Sequence, residues 1–170
     1  MKYMIIGGVA GGASTAARLR RLDEQAEIIL FEKGEYISYA NCGLPYYIGG
    51  VIEERERLFV QTPESFKARF NIEVRIKSEV KAIEPENKQV VIKDWATGKT
   101  YRESFDKLVL SPGAEPVLPP WEGIRTEGIF TLRNVADTDR IKAWAGRQEV
   151  KKAVVVGAGF IGLEMAENLH

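Results

Sequence analysis

The sequence predicts an α/β fold: a parallel sheet with an inserted antiparallel meander, followed by the start of a second domain of the first type. Two observations carry this prediction. An apolar run, a glycine-rich turn and a helix-forming segment follow one another around residues 7–12, and the same order returns around residues 157–162, 150 residues later. Between them lie short β-branched segments separated by turn residues, which is typical of antiparallel strands.

The first predicted unit is a strand, a helix and a second strand. A βαβ unit joins its two strands in parallel through a right-handed crossover. This order of elements around a glycine turn is typical of a Rossmann-like nucleotide-binding domain. The expected bounds are residues 2–6 for the first strand, 13–22 for the helix and 27–32 for the second strand.

The middle of the chain predicts a helix and then a change to β structure. The helix is expected over residues 64–70. Asn87-Lys88 and Thr97-Gly98 are turn signals. We therefore expect a small antiparallel meander before another core strand, with β segments at residues 72–76, 80–83, 90–92 and 108–110.

The sequence from residue 111 onward predicts a connector and the start of a second domain. Residues 111–120 are too rich in proline for regular structure. A helix is expected over 137–147 and a strand over 152–156, leading into the second glycine motif. The predicted domains are 1–115 (first segment of the first domain), 116–150 (connector) and 151–170 (start of the second domain). Because one strand and one helix cannot bury their own apolar face, we expect this chain to be the front part of a larger protein.

The composition of the chain argues against several classes of protein. The 24 Lys and Arg balance the 24 Asp and Glu, so no overall field favours nucleic acid or an anionic membrane. The first apolar run is broken by glycines too early for a secretory signal. With one cysteine, and no cluster of His and Cys, the chain predicts neither an internal disulfide nor a metal site. We expect a cytoplasmic protein.

The second glycine motif predicts dinucleotide binding. Gly157, Gly159 and Gly162 occupy all three positions of GxGxxG between an apolar strand and a helix. These glycines permit the tight turn, the approach of a pyrophosphate and the close packing of helix on strand. The alternative is a glycine turn with a structural role only.

The first motif is less complete. Gly7 and Gly12 match, but Val9 stands where the middle glycine belongs. Glu32 strengthens the interpretation because an acid at the end of the second strand can accept both hydroxyls of an adenosine ribose. The alternative for Glu32 is a solvated acid at the end of a strand.

Cys42 is the one candidate for redox chemistry. Most lone cysteines are small buried apolar residues. Here Ser38 and Asn41 are polar neighbours, and Pro45 suits the first turn of a helix. A helix N terminus favours the thiolate form of a thiol, so we interpret Cys42 as reactive. A solitary cysteine beside a nucleotide loop implies that a second sulfur arrives with the substrate.

The first predicted helix carries Arg18, Arg20 and Arg21. Arg18 and Arg21 are three residues apart and share a face of the helix. They form either a solvated basic face or a site for the phosphates of a charged substrate.

Four segments together resemble a known family. They are Gly7-Gly8-Val9-Ala10-Gly11-Gly12, Ser38-Tyr39-Ala40-Asn41-Cys42, Ser111-Pro112-Gly113 and the run from Gly157 to Glu164. In this order they are similar to the single-cysteine branch of the flavin-dependent pyridine nucleotide-disulfide oxidoreductases, which includes coenzyme A-disulfide and persulfide reductases. The resemblance covers all 170 residues and the first third of such an enzyme.

The resemblance implies cofactors and site residues. Cys42 matches the redox cysteine, and coenzyme A contacts are implied for Ser14, Arg18, Arg21, Ser38 and Asn41. NAD(P)H is implied at Gly157, Gly159, Phe160, Ile161, Gly162 and Glu164. FAD is implied at Gly7, Gly8, Val9, Ala10, Gly11, Gly12, Glu32, Lys33, Val80, Ser111, Pro112 and Gly113.

Two alternatives stay open at this level. Relatives that reduce oxygen or peroxide through a cysteine sulfenic acid carry a histidine in the first glycine loop, where this chain has Ala10. The other alternative is a non-catalytic nucleotide-binding fragment, since the family's full-length form is a homodimer with further segments. The expected partner is a small thiol or disulfide, and we expect the 170-residue chain alone to be inactive.

Overall fold

The computed structural model describes residues 1–170 and contains two compact units. Unit 1 comprises Met1–Tyr39 and Phe59–Gly113, and unit 2 comprises Ala40–Leu58 and Ala114–His170. The helices are α1 (Ala10–Leu22), α2 (Leu44–Ile48), α3 (Pro63–Phe70), α4 (Val135–Ala145) and α5 (Phe160–Asn168). The strands are β1 (Lys2–Ile6), β2 (Glu27–Phe31), β3 (Glu73–Arg75), β4 (Ser78–Glu84), β5 (Gln89–Asp94), β6 (Thr100–Ser104) and β7 (Lys107–Leu110).

Unit 1 is built on a four-stranded parallel sheet in the order β3-β2-β1-β7. The predicted βαβ unit is confirmed, because α1 connects β1 to β2 and these strands pair in parallel. Successive side chains of a strand point to opposite faces of the sheet. Ile5 accordingly packs in a cluster with residues of α1 and α3, whereas Met4 packs with Val90 and Ile92 of the meander.

The antiparallel meander differs from its prediction in two elements. It consists of β4, β5 and β6. The segment at 72–76, expected to be part of the meander, contributes β3 to the edge of the parallel sheet instead. Strand β6 was not predicted, and its alternation of exposed and half-buried residues follows the rule for a strand with one covered face.

Unit 1 also contains an ion-pair network between the two sheets. The Glu103 carboxylate on β6 accepts hydrogen bonds from Lys2 Nζ at 2.7 Å and from Arg75 Nη1 at 2.7 Å. Burial opposes ionisation of Glu103, but these two bonds outweigh it and lower its pKa below the usual 4.5. The network therefore stabilises the attachment of the meander to β1 and β3.

Unit 2 contains α2, α4 and α5 with irregular segments between them. Residues 111–120 form no helix or strand, as predicted. Helix α4 begins two residues before its predicted start because Asn134 and Asp137 form a capping box. It ends two residues before its predicted end, at the C-cap Gly146. No helix in the structure is both long and apolar enough to cross a membrane.

The strand expected over residues 152–156 is wrong for this structure. The segment pairs with no strand, and Val154 is 88% exposed. A strand requires a neighbour for its backbone hydrogen bonds, and none lies beside this segment. The helix expected after the second glycine motif is present as α5.

The network around Glu103 generates a prediction about pH. Replacing Glu103 with Gln leaves two cations with weaker partners, so we expect the free energy of unfolding to fall by about 1–3 kcal/mol near neutral pH. A carboxyl whose folded-state pKa is lowered contributes its full stabilisation above its unfolded pKa of 4.5 and loses that contribution as the pH falls through the folded-state pKa. Chemical unfolding at several pH values should therefore show the two proteins converging as the pH falls below 4.5.

The control is Glu84→Gln, which removes an ion pair with the exposed Arg102. Because this pair is exposed to solvent, we expect Glu84→Gln to lose much less stability than Glu103→Gln. Equal losses in both variants, or a Glu103→Gln loss that does not depend on pH, would contradict the interpretation.

Candidate functional site

The first glycine loop joins β1 to α1 by a very close approach of the backbone. Gly7 has a φ of 96°, a conformation that residues with a side chain rarely adopt. A Cβ added at Gly12 would overlap the Gly7 carbonyl oxygen. Helix α1 consequently begins at Ala10, three residues before its predicted start, with Gly11 and Gly12 inside its first turn.

The N terminus of α1 is suited to an anion. Its N-cap is Val9, which forms no side-chain cap, and the first turn carries no acidic residue. The first N–H groups of a helix have no partner within the helix and lie at the positive end of its dipole. Val9 has a negative φ of −87°, so the position of the missing middle glycine does not require glycine.

Glu32 and Ser111 lie beside this loop. The Glu32 carboxylate accepts hydrogen bonds from the Gly8 N–H and the Gly34 N–H, each at 2.8 Å. These bonds hold the acid next to the loop and leave lone pairs for ribose hydroxyls. A Cβ added at Gly11 would lie 3.2 Å from Ser111 Oγ, so the Ser111 side chain lies close to the loop.

The other residues implied for this nucleotide site take different positions in unit 1. Pro112 and Gly113 follow Ser111 and are exposed. Lys33 is exposed directly after Glu32. The Val80 side chain packs against the buried cluster that includes Phe31, so Val80 is part of the hydrophobic core.

A cavity of about 360 Å³ lies in unit 1 next to the first loop. Ser38 is tied to the loop, because its N–H donates to the Gly8 carbonyl oxygen at 2.9 Å. Among the predicted site residues, the cavity brings together Val9, Ala10, Ser14 and Ser38. Its other lining residues are Ala13, Ala17, Tyr39, Val60, Gln61, Phe66 and Phe70.

Sequence reasoning missed the wall that α3 contributes to this cavity. Phe66 and Phe70 are four residues apart on a helix that was predicted, so they share one face. That spacing was the available signal for their role. Gln61 lies in an irregular segment and carried no such signal.

The three arginines of α1 have different environments. Arg20 donates to four backbone carbonyl oxygens: those of Phe70 at 2.8 Å, Asn71 at 3.0 Å, Glu24 at 2.7 Å and Asp23 at 3.3 Å. Its guanidinium therefore connects the C-terminal ends of α1 and α3. Arg18 and Arg21 are exposed. Arg21 lines a separate groove of about 420 Å³ that also contains Arg69 and Glu24.

Cys42 lies in unit 2 on a 3₁₀ turn, Asn41–Gly43, which leads directly into α2. Its thiol is free and exposed. Pro45 lies in the first turn of α2, as predicted. The neighbouring Asn41 Oδ1 is buried and has no hydrogen-bond partner, which leaves one acceptor on this turn for a donor from outside the chain.

The second glycine loop repeats the geometry of the first. Gly157 has a φ of 112°, and a Cβ added at Gly162 would overlap the Gly157 carbonyl oxygen. Nothing lies within 4 Å of a Cβ added at Gly159, so this position is open to a pyrophosphate. Phe160 is 89% exposed, Ile161 is exposed and Glu164 is half-buried on α5. Helix α5 has neither a side-chain cap nor an acidic residue in its first turn.

The predicted site residues are thus divided between the two units. Unit 1 contains the first loop, Glu32, Ser111 and the cavity. Unit 2 contains Cys42, Asn41 and the second loop. Each loop offers a helix N terminus with close backbone approach, which is the arrangement that binds the pyrophosphate of a dinucleotide.

Comparison with known proteins places this geometry in a family. The pyridine nucleotide-disulphide oxidoreductase family matches residues 1–170. A curated relative, the coenzyme A disulfide reductase of Staphylococcus haemolyticus, is 44% identical over 169 residues. The match covers 99% of this chain and 38% of that relative, so the chain spans less than half of the relative's length.

Two solved structures share the fold closely. Reduced CoADR-RHD of Bacillus anthracis has a TM-score of 0.97 at 58% identity, over 99% of this chain and 30% of that one. The NAD-dependent persulfide reductase of A. fulgidus has a TM-score of 0.94 at 39% identity, over 99% of this chain and 32% of that one.

The first loop generates a prediction about two adjacent glycines. In Gly12→Ala the new methyl meets a backbone oxygen, which cannot rotate away, so we expect the free energy of unfolding to fall by at least about 1–3 kcal/mol. In Gly11→Ala the methyl meets only the side chain of Ser111, and alanine favours the helix by about 1 kcal/mol over glycine. Thermal and urea unfolding should therefore separate the two variants. Similar unfolding of both would show that the backbone contact does not shape the loop.

Proposed function

The chain belongs to the pyridine nucleotide-disulphide oxidoreductase family, and we propose that it is the part of an NAD(P)H-dependent enzyme that reduces a disulfide or persulfide of coenzyme A through a single redox cysteine. The observation that carries the proposal is the exposed, unpaired Cys42 thiol, in a chain with two dinucleotide-type glycine loops. The names of the relatives, coenzyme A disulfide reductase and persulfide reductase, support this choice of substrate class.

The two loops fit two dinucleotides. FAD fits the first, where the uncapped N terminus of α1 suits its pyrophosphate and Glu32 its ribose. NAD(P)H fits the second, where Gly159 leaves open space. Bound FAD supplies the two-electron relay between NAD(P)H and sulfur.

The proposed sulfur chemistry needs one cysteine. The Cys42 thiolate attacks one sulfur of the substrate disulfide, a Cys42–sulfur bond forms as the substrate S–S bond breaks, and one thiolate leaves. Two electrons from NAD(P)H then break the new bond and release the second thiol. The sum is one disulfide, one NAD(P)H and one proton converted to two thiols and NAD(P)⁺. For a persulfide the leaving products are sulfide and a thiol.

Polar and basic side chains in each unit support coenzyme A as the proposed substrate. The hydroxyls of Ser14 and Ser38 line the cavity. Asn41 offers an unpartnered acceptor beside the thiol. Arg18 and Arg21 are exposed cations that suit phosphates, whereas Arg20 is occupied by backbone carbonyl oxygens.

A peroxide or oxygen reductase is the alternative within the same family. That chemistry uses a sulfenic acid at the cysteine, and the relevant position of the first loop holds Ala10, which has no group to assist it. The absence of a loop histidine favours the disulfide and persulfide branch. We further propose that the complete enzyme is a cytoplasmic homodimer and that residues 1–170 alone do not turn over.

The proposal predicts the behaviour of Cys42→Ser in the full-length enzyme. We expect loss of NAD(P)H-dependent reduction of coenzyme A disulfide and of a persulfide, because the variant has no sulfur to form the covalent intermediate. FAD content should stay unchanged, since the first loop lies in the other unit. Steady-state assays with coenzyme A disulfide, a persulfide, peroxide and oxygen identify the acceptor in the unmodified enzyme. Normal disulfide turnover by the variant would sink the mechanism.

The basic face of α1 predicts a change in substrate affinity. In Arg18→Gln/Arg21→Gln we expect the KM for coenzyme A disulfide to rise by about 10- to 100-fold, through the loss of charge-assisted bonds to phosphate. The KM for a disulfide of the same thiol arm without phosphates should not change. Arg57→Gln, which removes an exposed arginine paired with Glu54, is the control. An equal rise for both substrates would contradict a phosphate-binding role.

A further inference from the structure

Two helices of unit 2 approach each other at Gly49. Helix α2 follows Cys42 and has Gly49 as its C-cap, and α5 begins at the second glycine loop and ends at Asn168. A Cβ added at Gly49 would lie 2.5 Å from the Asn168 carbonyl oxygen and 2.8 Å from Asn168 Cβ. Gly49 has an ordinary φ of −74°, so this close approach, and not backbone conformation, is what excludes a side chain.

The approach at Gly49 belongs to a larger packed contact. Ile48 of α2, Met165 of α5 and Ile141 of α4 form one buried cluster. Arg55, which follows α2 in the chain, forms a bidentate ion pair with Asp139 of α4. Its Nη2 and Nε atoms lie 2.7 and 3.0 Å from the Asp139 carboxylate oxygens. The Lys142 ammonium also donates to the Tyr47 carbonyl oxygen. Helix α2, which follows Cys42, and helix α5, which follows the second glycine loop, therefore pack in one cluster with α4.

We propose that Gly49 is a positioning residue for the reaction: its missing side chain lets α5 lie against α2 and holds the second dinucleotide loop at a set distance from Cys42. This inference rests on the proposed function for its catalytic consequence. The geometric part depends only on the contact between the two helices.

The size of the expected displacement follows from the contact distance. To reach an ordinary contact of 3.4 Å from 2.5 Å, the Asn168 carbonyl would have to retreat by roughly 0.9 Å. The obstacle is a backbone atom, so a side-chain rotation cannot relieve it. Helix α5 is nine residues and about 13 Å long, and a tilt at its C-terminal end moves the loop at its N-terminal end.

The test compares Gly49→Ala with Gly146→Ala in the full-length, FAD-loaded enzyme. Gly146 is the C-cap of α4 with nearly the same backbone angles, but its added Cβ meets only the Lys142 carbonyl oxygen at 3.4 Å. The measurements are the Kd for NAD⁺ by calorimetry, kcat and KM for NADH and for the disulfide, and amide hydrogen exchange in residues 157–168. Fluorescence of released FAD and a thermal melt verify that each variant is folded.

For Gly49→Ala we expect kcat/KM for NADH to fall roughly 10- to 100-fold, because a misplacement of about 1 Å slows a reaction by up to this factor. The Kd for NAD⁺ should rise. Amide exchange in α5 should accelerate. The KM for the disulfide should change less than the KM for NADH, because Ile48 and the Arg55–Asp139 ion pair still hold the segment after Cys42. Gly146→Ala should match the unmodified enzyme in every quantity. Wild-type NAD⁺ binding and wild-type exchange in a folded Gly49→Ala would overturn the inference.

A second variant covers the case in which Gly49→Ala does not fold. Met165→Ala removes packing from the same contact without a clash, so we expect weaker NAD⁺ binding and faster α5 exchange from it as well. Unchanged NAD⁺ binding in Met165→Ala would overturn the inference. If the unmodified enzyme reduces no disulfide, the proposed function fails, whereas NAD⁺ binding and exchange still decide the role of Gly49.

Discussion

The close approach of a helix to the glycine turn before it is the constraint on which both candidate nucleotide sites depend. At Gly12 and again at Gly162, the helix lies so near the carbonyl oxygen of the preceding turn that no Cβ fits. The turn itself requires the positive φ of Gly7 and of Gly157. As a result, each helix presents uncapped N–H groups just beyond its glycine turn, and the same arrangement occurs in both units of the chain.

The cysteine depends on a different kind of support. Cys42 lies on a short turn that has little structure of its own, and the five-residue α2 after it is stabilised by its neighbours α4 and α5. Packing of Ile48, the Arg55–Asp139 ion pair and the close contact at Gly49 provide that support. The exposed thiol is therefore available for reaction on a segment whose position is set by larger elements.

Features that are encoded locally were predictable from the sequence. The glycine turns, the parallel βαβ unit and the proline in the first turn of α2 each follow from residues close together in the chain. Features that depend on distant partners were not. The composition of residues 73–75 suits a strand in either sheet. Their pairing with β2 places them in the parallel sheet. Residues 152–156 have a strand composition but no strand beside them. The roles of Arg20 and Gly49 likewise appear only when helices far apart in sequence are brought together.

In the proposed reaction Cys42 provides one sulfur and the substrate provides the other. Intact-protein mass spectrometry of the full-length enzyme after exposure to coenzyme A disulfide, before and after addition of NADH or NADPH, measures this division. We expect a single coenzyme A adduct, located at Cys42 and removed by one of the two reductants. An enzyme that gains no adduct, or that keeps it with bound FAD and either reductant, would rule the single-cysteine mechanism out.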